Sequence, residues 1–233
     1  NLPIYPYSTW IDKSVVKSYS WLMKRDVDRA NSLLEEAGLK KGSGGVRTLS
    51  DGSAMRYQIS VPTGWTDFIS DCEVITNNCK DIGVDLTIYT PSVDTWYNNV
   101  YPAHFDMCLD DPGGFGATPF EAYRGYLSSQ TYEPVGTSAQ QNWQRYKNAD
   151  ADTLLNKFAA TSSLSEQKSI TVDLQRIFAE NLPVIPLYYE PEWGAYNTMY
   201  FTDFPNLPHP YAPLSEVSSF PTYNIVLNHI KPR

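Results

Sequence analysis

Met55-Arg-Tyr-Gln-Ile-Ser-Val-Pro62 opens the stretch of sequence that decides the fold, and that stretch continues to Thr90. Apolar and polar residues alternate in the opening segment, which is typical of a strand buried on one face. From Asp67 to Ile82 the apolar residues instead recur every three or four positions, as they do along one side of a helix. Alternation returns from Val84 to Ile88. The stretch therefore predicts a strand, a helix and a second strand.

This order of elements predicts an α/β fold. Two strands joined by a crossover helix are expected to pair in parallel, through a right-handed connection. Thr66 is expected to cap the start of the helix and Gly83 to end it. Together with the elements predicted elsewhere in the chain, the stretch predicts a mixed sheet with packed helices.

The same two periods predict elements on both sides of this stretch. Helices are predicted at 26–37, at 93–100, from about 150 onward, and from a capping box formed by Ser163 and Glu166 to Pro183. Strands are predicted at Phe105–Leu109, at Val184–Tyr189 and at Tyr223–Leu227. Pro186 lacks a backbone donor, so its strand is expected at a sheet edge or at a switch between layers. Residues 1–21 have no sustained period and are expected to form an arm along the surface.

Composition and charge narrow the function classes. The chain has 233 residues, of which 42% are hydrophobic and 19% charged, as in ordinary globular proteins. Its net charge of -8, without a cluster of Lys and Arg, argues against a nucleic-acid partner. The 17 Tyr and 6 Trp side chains offer flat apolar faces with a polar group attached. A sugar, a peptide or a metabolite is therefore favoured as the ligand.

The sequence contains no nucleophile elbow, no His-Glu-x-x-His motif and no phosphate-binding loop. Cys72 and Cys79 lie about 10 Å apart along one helix, too far for a disulfide, and are expected to be small buried hydrophobic side chains. With Cys108 they form an odd set, and the His residues are scattered, so no metal site or cofactor is predicted. Glu190 and Glu192 would point to opposite faces of a strand, which argues against an acid pair for glycoside hydrolysis. We expect a non-enzymatic binder without catalytic residues.

A glycine-rich loop is predicted directly after the strand at 105–109. It runs from Asp110 to Pro119, and its glycines allow the backbone to approach a bound molecule or to turn sharply. Gly114-Phe-Gly116 lacks the third glycine of a nucleotide-binding motif, so no phosphate-binding role is assigned. Asp110 and Asp111 are candidates for binding an amine or sugar hydroxyls, against the commoner alternative that paired acids in a loop are only solvated.

Three segments carry a resemblance to a known family. Asp28–Gly38 is similar to the family's Asp-x-x-x-Ala-x-x-Leu-Leu-x-x-Ala-Gly helix, with a slight shift in register. Leu174–Tyr188 resembles its late helix, which leads into a Pro-x-x-Pro-Leu strand, and Asn142–Asn148 is the third match. Over residues 27–232 the chain resembles the C-terminal portion of a family 5 extracellular solute-binding protein of ABC importers. That group includes dipeptide-, oligopeptide- and cello-oligosaccharide-binding proteins.

The resemblance implies one lobe of a two-lobed, periplasmic-binding-protein-like fold that closes over its ligand. Residues 1–185 are then the C-terminal ligand-binding lobe. Residues 186–233 are a strand and a Pro- and aromatic-rich segment that returns toward an N-terminal lobe absent from this chain. The resemblance also implies an extracellular, cell-surface or periplasmic protein, often anchored by an N-terminal lipid, that delivers its solute to ABC permease subunits.

The class of solute is a further implication of the resemblance. In peptide-binding members, an Asp in the loop after the strand that matches Phe105–Leu109 pairs with the peptide amine, and this chain has Asp110 and Asp111 there. The glycine-rich run and Trp193-Gly-Ala-Tyr196 look more like the oligosaccharide-binding members. We therefore expect an oligosaccharide or a similar neutral solute, with an oligopeptide or dipeptide as the alternative.

Seven side chains are predicted to contact the solute: Asp110, Phe115, Tyr126, Asn142, Trp143, Arg145 and Trp193. The aromatic rings offer faces for stacking, the amide and guanidinium groups donate hydrogen bonds to hydroxyl groups, and Asp110 accepts one. For Trp143 and Trp193 an equal alternative is that each ring only packs the protein interior.

Overall fold

The computed structural model describes residues 7–110, 118–188, 195–206, 208, 209, 211, 212 and 220–233, with side chains from 224 onward in the last range. Its α-helices are α1 (Lys13–Ser18), α2 (Val27–Glu36), α3 (Thr66–Asp81), α4 (Val93–Val100), α5 (Phe120–Leu127), α6 (Ala149–Ala160), α7 (Leu164–Asn181) and α8 (Phe220–His229). Its strands are β1 (Arg56–Ser60), β2 (Asp85–Tyr89), β3 (Met107–Cys108), β4 (Phe201–Thr202) and β5 (Lys231–Pro232). Short 3-10 helices lie at Tyr7–Trp10, Ser20–Met23 and Ser129–Thr131.

The main sheet is built on β1, which pairs in parallel with β2 on one side and with β3 on the other. Tyr57 lies opposite Leu86 and Ile59 opposite Ile88, so the apolar residues of β1 and β2 share a face. The predicted parallel pair is confirmed. Parallel and antiparallel pairs nevertheless lie in different sheets rather than in one mixed sheet, because the antiparallel strands, β4 and β5, both come from the end of the chain.

Helix α3 covers the apolar face of this sheet. Cys72 is fully buried in a cluster with Ile59 and Val61, as expected for a small hydrophobic side chain. The predicted cap is displaced by one residue, because Thr66 is already helical and Trp65 holds the N-cap position without a side-chain hydrogen bond.

Gly83 directly follows the C-cap residue of α3, as predicted. Its φ of +80° lies in the left-handed region that favours glycine. A Cβ added there would also lie 2.8 Å from the carbonyl oxygen of Gly45. Glycine is therefore required at this position both for backbone conformation and for space.

A second core lies among α5, α6 and α7. Its most deeply buried side chains are Tyr123, Leu127, Ala151, Leu155, Leu174 and Phe178. Trp10 joins this core with its ring centroid 6.0 Å from that of Phe158, and the Gln175 amide donates a hydrogen bond to the Trp10 carbonyl oxygen at 2.8 Å. The predicted surface arm is therefore wrong for residues 7–15, because aromatic side chains bury a large area without forming a periodic pattern.

The predicted helix signals are confirmed at three ends. Asp26 caps α2 by accepting a hydrogen bond from the Arg29 amide at 2.9 Å. Ser163 caps α7 through the Glu166 amide, although the Glu166 carboxylate binds the Thr161 hydroxyl instead of completing a capping box. Helix α7 ends at Asn181, directly ahead of the expected stop at Pro183.

The two strands predicted near the end of the chain are wrong where the structure describes them. Residues 184–188 are irregular, because Pro183 and Pro186 lack backbone donors and no described strand pairs with this segment. Tyr223–Leu227 lies inside α8, where Pro221 occupies the first turn that tolerates proline. The Asn228 side chain also donates to the Asn224 carbonyl one turn earlier, at 2.8 Å. A five-residue apolar run does not by itself separate helix from strand.

Residues 132–148 join the two cores. They lie between α5 and α6 and hydrogen-bond to the backbone that follows α4. The Gly136 amide donates to the Pro102 carbonyl at 2.8 Å, and the Ala139 amide donates to the Tyr101 carbonyl at 3.0 Å. These bonds bring the helical core next to one edge of the main sheet.

Candidate functional site

The order of the strands marks one edge of the main sheet as a candidate site. From β1 the chain passes through α3 to β2 on one side, and then through α4 to β3 on the other side of β1. In open α/β sheets, ligands bind beyond the carboxyl ends of the strands at such a change of direction. The segments that leave the sheet at this point begin with Val61 and Leu109.

Five aromatic side chains gather at this edge and form what we call the aromatic rim: Trp65, Trp96, Tyr97, Tyr101 and Trp143. Trp96 lies at the centre, with its ring centroid 5.7 Å from Trp65, 5.0 Å from Tyr97 and 5.8 Å from Trp143. It is fully buried, whereas the other four rings are half-buried. The rim therefore presents four partly exposed rings around a packed centre.

Helix α4 and the end of β1 hold the rim in place. Ser92 caps α4 by accepting a hydrogen bond from the Thr95 amide, and Trp96 and Val100 bury one side of the helix. The Trp96 indole N–H donates to the Ser60 carbonyl oxygen at 3.3 Å. Because Ser60 ends β1, this bond ties the centre of the rim to the sheet.

Asp110 lies half-buried beside the rim, just after β3. Burial and, to a smaller extent, the Asp110 charge raise the pKa of the Tyr97 hydroxyl. The same two causes, in the same order, raise the pKa of the Cys108 thiol to about 12. The hydroxyl and the thiol are therefore both protonated at neutral pH, and a carboxylate stands beside them as a hydrogen-bond acceptor.

The structure brings two of the predicted contacts, Asp110 and Trp143, to the same pair of tyrosines. Asp110 acts on Tyr97, while the Trp143 ring lies 5.7 Å from that of Tyr101. Tyr97 and Tyr101 in turn lie 5.2 Å apart, one helical turn from each other. Among the predicted contacts in the described part of the chain, only Asp110 and Trp143 interact with side chains of the rim, Asp110 through its charge and Trp143 through its ring.

The other predicted contacts that the structure describes pack or hydrogen-bond within the protein. Asn142 is buried, and its side chain bonds to the Tyr146 carbonyl and amide at 2.6 Å and 2.8 Å. Tyr126 packs on Phe178 in the helical core, with ring centroids 5.9 Å apart. The Arg145 guanidinium donates to backbone carbonyl oxygens. Ligand contact by these side chains stays a prediction, while their described interactions serve the fold.

Phe115, Trp193 and the second loop carboxylate, Asp111, lie outside the described residues. Sequence reasoning missed Trp65, Tyr97 and Tyr101, which the structure places in the rim. Only a partial signal was present: Trp65 follows the end of a predicted strand, and Tyr97, in the helix predicted at 93–100, is four residues before Tyr101.

The comparison with family models gives one match. The model described as bacterial extracellular solute-binding proteins, family 5 middle, matches residues 2–134, which is more than half of the chain. No curated protein sequence matches the chain. Within the described ranges, no helix has the length and apolar character that crossing a membrane requires.

Solved structures of binding proteins share the fold. A periplasmic oligopeptide-binding protein of an oligopeptide ABC transporter from Thermotoga maritima, bound to mannohexaose, is 25% identical with a TM-score of 0.82. The match covers 100% of this chain and 43% of that one, so the chain spans less than half of that protein's length. An oligopeptide-binding protein from Thermus thermophilus, in complex with a pentapeptide, is 19% identical with a TM-score of 0.63. That match covers 81% of this chain and 32% of the other.

Proposed function

The chain belongs to the bacterial extracellular solute-binding proteins of family 5, and on this premise we propose that it binds a neutral oligosaccharide for an ABC importer. In this proposal the protein captures the solute outside the cell membrane and delivers it to the permease subunits. The whole protein acts, of which this chain supplies one wall of the binding site.

The aromatic rim is the observation that carries the proposal. Aromatic faces stack on the apolar faces of sugar rings, and offset stacking contributes about 0.5–1.5 kcal/mol beyond the area buried. Trp65, Tyr97, Tyr101 and Trp143 offer such surfaces at the edge where ligands of α/β sheets bind. Asp110 beside them is suited to accept a hydrogen bond from a sugar hydroxyl group.

A peptide is the second candidate solute, and Asp110 favours it. A carboxylate near the binding edge pairs with the amine of a peptide as readily as it accepts from a hydroxyl group. The relative from Thermotoga maritima supports both candidates, since it is named for oligopeptides and was found with mannohexaose. The balance of side chains favours the sugar, because the rim offers four partly exposed rings and Asp110 is the one carboxylate that the described residues relate to it.

We propose that residues 1–185 form the ligand-binding wall and that residues 186–233 pack against the rest of a longer protein. Support comes from apolar side chains that the final segment and the adjoining Ile185 leave exposed: Ile185, Leu187, Tyr188, Met199, Tyr200, Phe201 and Leu227. Where such side chains form one continuous patch, the patch marks a contact with another surface. Anchoring by an N-terminal lipid belongs to the same proposal.

Thermal unfolding of the protein with its complete sequence tests the class of solute. Binding at 100 times Kd adds about 2.7 kcal/mol to the free energy of unfolding and raises the Tm. We expect mannohexaose or another linear oligosaccharide to raise the Tm of the protein and of the Asp110→Asn variant. If only peptides raise the Tm, and only when Asp110 is intact, the peptide candidate replaces the oligosaccharide.

A further inference from the structure

We infer that Arg145 is a positioning residue that fixes the Trp143 ring in the aromatic rim. Its consequence for binding rests on the proposed function, whereas its consequence for the position of the ring does not. The inference changes the role first expected of Arg145, from a donor to the solute to a clamp on the backbone around Trp143.

The contacts of the guanidinium group carry the first step. Its two terminal nitrogens donate to three carbonyl oxygens, those of Tyr101, Thr137 and Asn142, the last two at 2.7 Å and 3.2 Å. Tyr101 follows α4, while Thr137 and Asn142 belong to the segment that joins the two cores. The planar guanidinium fork holds carbonyl groups from different segments in a fixed geometry, which the compact, rotating ammonium group of a lysine does less well.

The same carbonyl group of Tyr101 links Arg145 to the Trp143 ring. It accepts hydrogen bonds from both the Arg145 guanidinium and the Ala139 amide, which fills both lone pairs of the oxygen. Ala139 in turn accepts a hydrogen bond from the Trp143 indole N–H at 3.0 Å. Trp143 is thereby held at its ring nitrogen by the segment that Arg145 clamps to α4.

Backbone strain around Trp143 carries the second step. Asn142 and Arg145 have φ angles of +55° and +56°, in the left-handed region that non-glycine residues seldom adopt. Such a conformation is unfavourable by itself and persists only where the surrounding structure holds it. The Asn142 amide network and the Arg145 clamp supply these restraints on the two sides of Trp143.

The hydrogen bonds that Arg145 already makes leave direct contact with a solute as the weaker explanation. The Nε atom of Arg145 is enclosed without a hydrogen-bond partner among the described residues, so it does not face an open site. Both terminal nitrogens are engaged with the backbone. Three of the five guanidinium N–H groups are thereby taken up by the backbone and a fourth, at Nε, is enclosed, which leaves a single N–H for any other partner.

Circular dichroism of the full-length protein tests the position of the ring without any solute. The Trp96 and Trp143 rings lie 5.8 Å apart at 83°, close enough for their transitions to couple. The spectrum of Trp143→Phe, subtracted from that of the unmodified protein, isolates the signal from Trp143. We expect Arg145→Met to lose most of this signal and Arg145→Lys to retain part of it. Arg176→Met, which removes an exposed arginine from an ion pair on α7, is the matched control and keeps the signal.

A double-mutant cycle on binding of mannohexaose, measured by titration calorimetry, tests the consequence. We expect Arg145→Met to weaken binding about 3-fold to 10-fold when Trp143 is present, and less than about 2-fold in a Trp143→Ala background, since coupled residues are not additive. Equal losses in both backgrounds would overturn the inference and make Arg145 a direct contact.

Failure of the two proposals has different signatures. If Arg145→Met keeps the full Trp143 signal in circular dichroism, the positioning role is wrong, whatever binds. If the signal is lost as expected but mannohexaose does not bind the unmodified protein, the positioning role stands and the proposed oligosaccharide fails.

Discussion

Two regions of the chain differ in how they bury their apolar side chains: the body, residues 7–182, and the tail, residues 183–233. In the body, Val61, Trp96 and Leu174 are fully buried within the chain itself. In the tail, Ile185, Met199, Tyr200 and Leu227 are 76%, 62%, 71% and 67% exposed. The body also exposes single apolar side chains, Met23 at 80% among them, but it closes large cores, whereas the described part of the tail buries only Pro205 and Ala212.

This difference suggests two sources of stability. We propose that the body is stabilised within the chain and the tail by contact with another surface. Burying one large aliphatic side chain contributes about 1.5–3 kcal/mol, so a region that leaves several exposed forgoes a large stabilisation. For the body this stabilisation comes from contacts within the chain. For the tail, in our proposal, it comes from the rest of the longer protein.

Phe178→Ala is expected to have the largest effect on the body. Phe178 lies fully buried in the helical core beside Tyr123 and Tyr126, and its loss leaves a cavity that costs about 3–5 kcal/mol of unfolding free energy. Denaturation in urea measures the change. Leu164→Ala, at an exposed position in the same helix, is the control and should cost less than about 1 kcal/mol. Similar losses in the two variants would contradict the account of this core.

Arg47→Met is expected to cause the second-largest loss of unfolding free energy. The buried Arg47 guanidinium donates to the Leu39 and Ile82 carbonyls beyond the ends of α2 and α3, and to the Asn31 side chain at 2.7 Å. Its removal leaves buried carbonyl groups without donors, at about 2–3 kcal/mol. Arg56→Met, which breaks an ion pair on the exposed side of the sheet, should cost less than about 1 kcal/mol. If Arg56→Met lost more unfolding free energy than Arg47→Met, the structural role assigned to Arg47 and the surface role assigned to Arg56 would both be wrong.

Cys72→Ala is expected to cost about 1–3 kcal/mol, since it removes a small side chain from a packed core. Burial raises the pKa of the Cys72 thiol to about 11. The unfolded chain releases this proton at about pH 8.5, so the thiol's contribution to stability is complete below that pH. It declines as the pH rises toward 11. Cys72→Ala should flatten this decline, and rapid reaction of native Cys72 with a thiol reagent at neutral pH would refute its burial.

Ile185→Ser is expected to have the smallest effect in this 233-residue chain, less than about 0.5 kcal/mol, because the side chain is mostly exposed. In the protein with its complete sequence we expect a loss of about 1.5 kcal/mol or more, since the proposed partner surface then covers the side chain. Chemical denaturation of both proteins measures the difference. Equal losses of unfolding free energy in the two proteins would mean that no further surface covers Ile185. Our explanation for the exposed apolar side chains of the tail would then be wrong.

The same contrast explains which parts of the fold could be predicted from sequence. In the body, 16 residues of helix α3 give the apolar stripe enough length to be read, and β1 and β2 alternate on one face. In the tail, Val184–Tyr189 and Tyr223–Leu227 are short apolar runs interrupted or preceded by proline. Such runs are compatible with a helix or a strand until the surrounding structure decides, and for the tail, in our proposal, that structure belongs to the rest of the longer protein.

The candidate site could be predicted only in part. Trp143 and Asp110 were found because an aromatic ring and a loop carboxylate are informative by residue type alone. Trp65 and Tyr97 required the strand order β2-β1-β3, which brings the carboxyl ends of β1 and β3 together. The backbone role of Arg145 could not be foreseen, since no sequence pattern distinguishes an arginine that binds carbonyl groups from one that binds a solute.

Titration calorimetry of mannohexaose binding to the full-length protein tests the central claim most directly. The account predicts that the unmodified protein binds and that Trp143→Ala weakens binding about 3-fold to 10-fold through loss of one stacking ring. Trp21→Ala, at an exposed tryptophan that pairs with Arg29, should leave the affinity unchanged. The contradicting result is a protein that binds a pentapeptide but not mannohexaose, loses the peptide on Asp110→Asn, and keeps its affinity on Trp143→Ala.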